Sequence, residues 1–361
     1  VTNSTFNNNT AGNYGGAIFG YNVTVVDSKF KDCKATEGSD IVADSITLIC
    51  NDYDGKPTYN STEINGTVIK CIISGTFAEV EYRINNTQVN GVLNLENKKY
   101  TANGTDTTIN INKNITINGN GATLDANNKF RIMTIANGLS VTLNNIKFIN
   151  GNASDDGGAI YTGGGSVTVT NSTFNNNQAN GNYVMGGAIY SNYGGSVTVT
   201  NSTFNNNTVN GTNEGYGGAI SVNWGGSVSV TNSTFNNNTA SSNYGNYGGA
   251  IYVSNGNSVT VSNSTFINNS ADGEGASIYT FGTVLNVKDS TFNSLNAKGT
   301  AIIHIKSFNN HDVNLTNNTI ESNLLAIYND GGKIISPTTL TFHNVTVEEG
   351  ENATLTATLT D

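Results

Sequence analysis

The chain has 361 residues, a formal net charge of −10 and a pI near 4.7. Only 12% of the residues are charged, against roughly a quarter in an ordinary soluble domain, whereas asparagine fills roughly a fifth of the chain. This composition excludes a nucleic-acid partner, which needs a basic surface, and no apolar run reaches the ~20 residues of a membrane-spanning helix. Three cysteines also exclude a disulfide scaffold and a four-cysteine zinc site.

Residues 1–44 resemble, in pattern, the repeats that follow later in the chain. An Asn-Ser-Thr-Phe phrase begins at Asn3, and Val23 and Val25 alternate with polar residues as in a half-buried strand. We interpret residues 1–44 as the closing coils of a preceding β-helix. Because Val1 enters within a repeat, we expect the sequence to be an excerpt of a longer chain.

Residues 45–92 interrupt the repeat and carry several short apolar runs, such as residues 67–72. Runs of this length favour strands, so we predict a small β insert or linking domain, without a helix. Cys50 and Cys71 lie in this segment. Their pairing in a disulfide stays open, because spacing alone does not show that the required geometry is met.

Residues 93–335 repeat one unit of 26 to 31 residues, anchored by phenylalanines and by a Gly-Gly-Ala-Ile phrase. The anchors are Phe148, Phe174, Phe204, Phe235, Phe266 and Phe292. Each phenylalanine follows a strand in which apolar and polar residues alternate, such as Val167-Thr168-Val169. Because each unit contains only one such strand, the strand must pair with its copies in the neighbouring units. We therefore predict an all-β chain, a right-handed parallel β-helix (solenoid) with copies about 4.8 Å apart.

The repeat also predicts which side chains point inward. We expect the valine pairs, the phenylalanines and one column of isoleucines to form the core; that column is Ile160, Ile189, Ile220, Ile251 and Ile278. The asparagines that open the Asn-Ser-Thr phrases at positions 171, 201, 232 and 263 have two interpretations. They form a buried ladder, or they carry glycans at their Asn-x-Thr sequons.

The pattern changes after residue 335. Pro337 ends the repeat, and alternating runs at residues 345–347 and 355–359 are typical of antiparallel strands. We interpret residues 336–361 as the truncated start of an Ig-like β-sandwich.

Gly-Gly-Ala-Ile combined with Phe-x-x-Asn resembles the repeat of chlamydial polymorphic outer-membrane proteins. The second phrase occurs at Phe6–Asn9, Phe174–Asn177, Phe204–Asn207, Phe235–Asn238 and Phe266–Asn269. The asparagine and threonine richness is similar to adhesin-like surface proteins of methanogenic archaea. Both resemblances imply an extracellular protein, at the cell surface or associated with the cell wall, that mediates attachment.

Candidate binding residues are aromatic and lie on one side of the repeat. The distance from phenylalanine to the next Gly-Gly varies from 9 to 13 residues, whereas that from isoleucine to phenylalanine stays at 14 or 15, so insertions are confined to one edge. Variable loops on one face of a solenoid usually bind ligands. The candidates are Tyr183, Tyr216 and Tyr247 in the loops, Tyr190 and Tyr252 in one register after the isoleucine, and Tyr193 and Trp224 in another.

These aromatics have two interpretations: a surface that stacks on sugar rings, or a tyrosine ladder that shields the sheet. We predict no catalytic residue, metal site or cofactor, because the acids of the repeats are scattered and no arginine follows Arg131 in the repeats. The sequence favours an adhesin that binds glycans or surface proteins of other cells, as a monomer or part of a longer chain. The alternatives are a β-helical polysaccharide lyase or hydrolase, a passive stalk with its binding tip elsewhere, and an ice-binding solenoid displaying threonine ranks.

Overall fold

A computed structural model describes residues 4–14, 16–26, 28–31, 33–35, 41–49, 52–53, 59–60, 75–104, 106–335 and 340–342. The chain divides into two compact units, residues 1–74 and residues 75–361. Cys50 and Cys71 lie outside the described residues, and so do residues 343–361. The disulfide and the Ig-like strands therefore stay predictions.

The first unit is built from two small parallel sheets. One contains Thr5–Asn7, Lys29–Lys31 and Asp52–Tyr53, and the other contains Ile18–Val26, Ile41–Ile49 and Tyr59–Asn60. Phe6 is in register with Phe30. Val25 and Ile41 are buried among other apolar side chains of this unit. The predicted boundary after residue 44 falls inside the strand Ile41–Ile49, because parallel pairing continues as far as Tyr59–Asn60.

In the second unit, parallel strands from successive repeats stack into three long sheets. The isoleucine sheet has nine strands: Ile109–Ile111, Met133–Ile135, Ile160–Thr162, Ile189–Ser191, Ile220–Asn223, Ile251–Ser254, Ile278–Phe281, Ala301–Lys306 and Leu325–Asp330. The valine sheet contains Gly91–Asn94, Ser166–Thr170, Val197–Thr200, Ser227–Thr231, Ser258–Ser262, Val284–Lys288, Asp312–Thr316 and Lys333–Ile334. The prediction of a parallel β-helix is confirmed.

The phenylalanine sheet follows the valine sheet within each coil. Its strands are Lys99–Thr101, Thr173–Asn175, Thr203–Asn205, Thr234–Asn236, Thr265–Ile267, Thr291–Ser294, Asn318–Ser322 and Leu340–Phe342. In the early coils the long strands Ile115–Asp125 and Ser140–Ile149 belong to both sheets. Leu340–Phe342 pairs in parallel with Asn318–Ser322, so the β-helix continues past residue 336, where the Ig-like module was expected to begin.

Identical residues lie above one another in this core. The five predicted isoleucines pair in register and are fully buried. The six repeat phenylalanines form one stack with ring centroids 4.6 to 4.9 Å apart and interplanar angles of 1 to 11°. The spacing of the rings follows the spacing of neighbouring strands, about 4.8 Å. All of these inward assignments are confirmed.

A buried asparagine ladder runs beside the phenylalanine stack. It contains Asn177, Asn207, Asn238 and Asn269, all fully buried, and each amide Nδ2 donates to the next Oδ1 at 2.9 Å. The asparagines of the Asn-Ser-Thr phrases are instead exposed, with φ near +50°. The buried-ladder interpretation of those asparagines is therefore wrong, because each occupies a left-handed corner whose side chain faces solvent.

One helix, Phe77–Asn86, covers the first coil of the second unit. Thr76 caps it, since its hydroxyl accepts from the Glu79 amide at 3.4 Å, and Phe77, Val80 and Ile84 are buried in the β-helix core. The prediction of a purely β segment over residues 45–92 is wrong at this point. A solenoid exposes the apolar cross-section of its first coil, and a short amphipathic helix covers that surface.

Candidate ligand-binding surface

The predicted variable loops form a fourth parallel sheet, which we call the loop sheet. Its strands are Asn152–Ala153, Gln178–Met185, Thr208–Tyr216, Thr239–Ser241, Gly245–Tyr247 and Ser270–Ala271. Tyr183 pairs with Glu214, and Tyr216 pairs with Tyr247. The insertions are thus paired strands that position their side chains along the rod.

The Gly-Gly phrase turns the chain sharply from the loop sheet into the isoleucine sheet. Gly217 has a φ of 68°, which favours glycine, and a Cβ on Gly218 would clash with the carbonyl oxygen of Gly249 in the next coil. Side chains just before and just after this turn therefore face each other. Those before it form one wall of a groove, and those after it form the floor.

The floor is the tyrosine row that the sequence predicted. Tyr161, Tyr190, Ser221, Tyr252, Tyr279 and His304 pair in succession. However, Tyr190 is 3% exposed and Tyr252 is 8% exposed, so the expectation that these two rings form an open face is wrong. For Tyr252 the cause is the loop sheet, because the rings of Tyr216 and Tyr247 pack on it with centroids 4.8 and 6.4 Å away.

The wall is formed by Tyr216 and Tyr247, whose half-buried rings stack with centroids 5.2 Å apart. Tyr216 also contacts Tyr252 at 4.8 Å, and Tyr247 contacts Tyr279 at 5.2 Å, with the rings tilted by 55 and 62°. We call Tyr190, Tyr216, Tyr247, Tyr252 and Tyr279 the tyrosine groove.

Acidic side chains accompany these phenols. The Tyr216 hydroxyl is hydrogen-bonded to the Glu214 carboxylate, and Glu274 lies 3.4 Å from Nε2 of His304. Burial raises the pKa of Tyr216 and of Tyr279, and the carboxylates of Glu214 and Glu274 raise them further. Burial lowers the pKa of His304, although Glu274 opposes this. The groove is therefore a negatively charged, phenol-rich environment.

At the first end of the row, Arg131 holds the acidic pair in place. Its guanidinium is paired with Asp155, donates to the Asp156 carbonyl at 2.6 Å, and lies 5.0 Å from the ring centroid of Tyr161. Asp156 accepts from the Met185 amide at 2.9 Å. Burial raises the pKa of Asp156 to about 6, with the Asp155 charge acting in the same direction.

Four other aromatics of this edge are exposed. Tyr193 is 71% exposed and Trp224 is 60% exposed, at the corner that follows the isoleucine sheet, and both have left-handed φ values, 47 and 55°. Tyr183, in a strand of the loop sheet, is 58% exposed, and Tyr244, directly before the strand Gly245–Tyr247, is 83% exposed. The groove thus has open rings on both of its sides.

Glu214, Glu274, His304 and Tyr244 are not among the candidate residues that the sequence predicted. Only Glu274 could have been found from the sequence. It directly precedes the glycine that begins its turn phrase, the position that Tyr216 and Tyr247 occupy in their own coils. Within the described ranges, no group of three or more His, Cys, Asp or Glu side chains has a metal-binding arrangement. In the same part of the chain, no helix has the length and apolarity to cross a membrane.

Three segments of the chain match the Chlamydia polymorphic membrane protein repeat: residues 3–21, 232–254 and 263–280. The resemblance to the chlamydial repeat is therefore confirmed, whereas the resemblance to archaeal adhesin-like proteins stays a prediction. No curated protein shows significant similarity to the chain. The repeat and the parallel β-helix together fit a surface-exposed β-helical protein.

Proposed function

We propose that this chain is a segment of an extracellular, cell-surface adhesin, whose β-helical rod binds glycans at its aromatic edge. The observation that carries the proposal is the corner formed by Tyr193 and Trp224. Both rings extend into solvent from consecutive coils, and large exposed aromatics on a regular scaffold are typical of binding surfaces.

The backbone at these two positions supports a role in binding. Left-handed φ is disfavoured for bulky residues by about 1 kcal/mol or more, and the equivalent position in the next coil is Asn255, which tolerates it. Strained conformations of this kind are concentrated at binding and active sites. The presence of bulky side chains at positions 193 and 224 is therefore not explained by a contribution to the stability of the fold.

The surroundings of the corner fit sugar recognition. The Tyr193 amide is fixed by the side-chain oxygen of Asn192 at 3.0 Å, and the Trp224 amide donates to the Ser254 carbonyl at 3.0 Å. Flat rings stack on the apolar faces of sugars, while neighbouring amides bond their hydroxyls. We propose binding without turnover, because the acids nearby are already engaged: Asp155 with Arg131, Glu214 with Tyr216, and Glu274 with His304.

The test is retention of a panel of host, plant and microbial glycans by the intact chain and by the double variant Tyr193→Asn/Trp224→Asn. We expect the variant to retain at least tenfold less glycan while its far-UV spectrum is preserved and its melting temperature is not lowered. The matched control is Phe19→Ala, which removes a 70% exposed ring from the strand Ile18–Val26 of the first unit.

Two results would contradict the proposal. Unchanged retention by the double variant would remove the corner from consideration, and retention of no glycan at all would favour a passive stalk or a protein receptor. Mass spectrometry of the retained glycans tests the enzyme alternative, since shortened chains require a hydrolase or lyase.

A further inference from the structure

We propose that the glycan bound at this corner is a neutral, linear polymer that lies along the rod, from Tyr193 and Trp224 to a second pair of rings, Phe281 and Phe308. This inference rests on the proposed glycan-binding function and adds the direction, the charge class and the length of the ligand. Three features support it: the alignment of the corner in successive coils, the open space beside the first rings and the absence of charge.

Backbone hydrogen bonds align the corner that follows the isoleucine sheet. From Trp224 to Ser307, the amide of each corner residue donates to a carbonyl of the next coil at 2.7 to 3.0 Å. The pairing of the strands extends this series by one coil, back to Tyr193. The equivalent positions in five consecutive coils are Tyr193, Trp224, Asn255, Gly282 and Ser307. They form a line along the rod.

Two further aromatic side chains flank the far end of this line. Phe281 directly precedes Gly282 and is half-buried, whereas Phe308 directly follows Ser307 and is 76% exposed. Their rings contact edge to face, with centroids 5.3 Å apart and an interplanar angle of 83°. The line thus has open rings at both ends and an exposed asparagine, Asn255, between them.

The space beside the first pair of rings is open. Tyr193 and Trp224 are each followed by a glycine with left-handed φ, 84° at Gly194 and 86° at Gly225. Apart from adjoining residues, a Cβ on Gly194 would have no atom within 4 Å, and a Cβ on Gly225 would meet only the Gly194 Cα at 3.9 Å. Nδ2 of Asn257 donates to the Gly225 carbonyl at 2.6 Å and fixes this stretch of backbone. A ligand can therefore lie against bare backbone while it stacks on the rings.

The corner carries no charge over four of these coils. Residues 191–195, 222–226, 253–257 and 280–283 contain no lysine, arginine, histidine, aspartate or glutamate, and Lys306 is the first charged residue of the series. Uncharged rings, amides and backbone groups suit a ligand that offers apolar ring faces and hydroxyls, as a neutral sugar does. A charged polymer has no complementary group here.

The length of the line favours a polymer over a small sugar. Four steps of about 4.8 Å separate the coils of Tyr193 and Phe308 by about 19 Å along the rod. A disaccharide stacked on Tyr193 and Trp224 does not reach Phe308. A linear glycan of several sugars reaches both pairs of rings, and it passes the coil without a ring at Asn255, whose amide can bond its hydroxyls.

The experiment varies the length and the charge of the probe on the full chain. Each neutral linear glycan of the panel is offered as a hexamer and as a disaccharide, beginning with those of cellulose and mannan, and a galacturonic acid hexamer is the charged probe. We expect a neutral hexamer to bind at least tenfold more tightly than its disaccharide. Phe308→Ala is expected to weaken binding of the hexamer roughly three- to tenfold and to leave binding of the disaccharide unchanged. The matched control is Phe19→Ala, an exposed ring of the first unit, which is expected to change neither.

A second variant tests the open space. Gly194→Asn places a side chain over the bare backbone, and asparagine tolerates the left-handed φ of this position. We expect it to weaken binding of the hexamer and of the disaccharide, because the new side chain occupies the space of the ligand. Unchanged binding of both would show that the ligand lies elsewhere and would overturn the inference.

The remaining outcomes separate this inference from the proposed function. Equal affinity for hexamer and disaccharide, or an unchanged affinity of Phe308→Ala for the hexamer, overturns the extended ligand; loss of binding in the Tyr193→Asn/Trp224→Asn variant would still support glycan attachment. Tighter binding of the galacturonic acid hexamer than of every neutral hexamer overturns the neutral class. Retention of only branched or charged glycans overturns the inference alone, and retention of no glycan overturns both.

Discussion

The phenylalanine stack and the tyrosine groove are two aromatic columns of the same rod, built in opposite ways. The phenylalanines recur in six successive coils, fully buried and almost parallel, with interplanar angles of at most 11°. The tyrosine row is interrupted by Ser221, ends in His304, and is crossed by rings tilted at 52 to 62°. Repetition of one residue is expected of a packed core, whereas variation at a fixed register is what the proposed binding role predicts.

The asparagines of the repeat also divide into a buried group and an exposed group, which differ in their hydrogen bonds. Asn207 is buried, and its amide bonds Asn238 at 2.9 Å and the Phe174 carbonyl at 3.1 Å. Asn206, its neighbour in sequence, is exposed in a left-handed corner. Two adjacent residues of one type therefore have different roles, one holding coils together and one turning the chain.

The largest expected effect is in the phenylalanine stack. Phe204→Ala leaves a cavity between Phe174 and Phe235, and we expect it to lower the free energy of unfolding by about 3 to 5 kcal/mol. Chemical denaturation measures this. If Trp224→Ala, on the aromatic edge, were equally destabilising, the distinction between the two columns would fail.

The buried asparagine ladder is expected to come next. Asn207→Ala leaves the Phe174 carbonyl and the Asn177 amide without their partners, and we expect a loss of about 3 kcal/mol. The matched control is Asn206→Gly, which keeps the left-handed corner and is expected to cost less than about 0.5 kcal/mol. Equal losses for both variants would show that the ladder adds nothing to stability.

The acid at the start of the groove predicts a pH dependence. Burial raises the pKa of folded Asp156 to about 6, above its ordinary value. Between pH 4 and 6, Asp156 is therefore protonated in the folded state but ionised in the unfolded state. Stability is therefore lost as the pH rises through this window, by about 3 kcal/mol. Asp156→Asn should remove this loss and be the more stable protein at pH 8 but not at pH 4. A wild-type minus variant difference that stays constant from pH 4 to 8 would contradict this.

The smallest expected effect is an increase, not a decrease, in the free energy of unfolding. Trp224→Asn relieves a left-handed φ of 55° on a bulky residue, so we expect the variant to be more stable by about 0.5 to 1 kcal/mol while it loses glycan retention. Thermal denaturation beside the retention assay measures both changes. A variant that is less stable than the wild type would mean that Trp224 packs on the rod, and the corner would then be structural.

The sequence predicted the candidate site only in part. It placed Tyr190 and Tyr252 in their correct register, but it did not show that both are buried. The rings that pack on Tyr252 belong to the loop sheet, a different segment of the repeat. It also treated the acids of the repeats as scattered, since residues such as Glu214 and Glu274 are 60 positions apart in the chain. Only the Gly-Gly turn brings the loop wall against the isoleucine sheet.

The sequence by itself determined the parallel β-helix, its inward columns and its register. The physical reason is that a repeat without internal strand partners must pair with its own copies, so each residue meets its equivalent about 4.8 Å away. The helix Phe77–Asn86, the fourth sheet and the groove were decided by the tertiary structure. These features depend on contacts between segments that are not copies of one another, and a repeat pattern carries no information about such contacts.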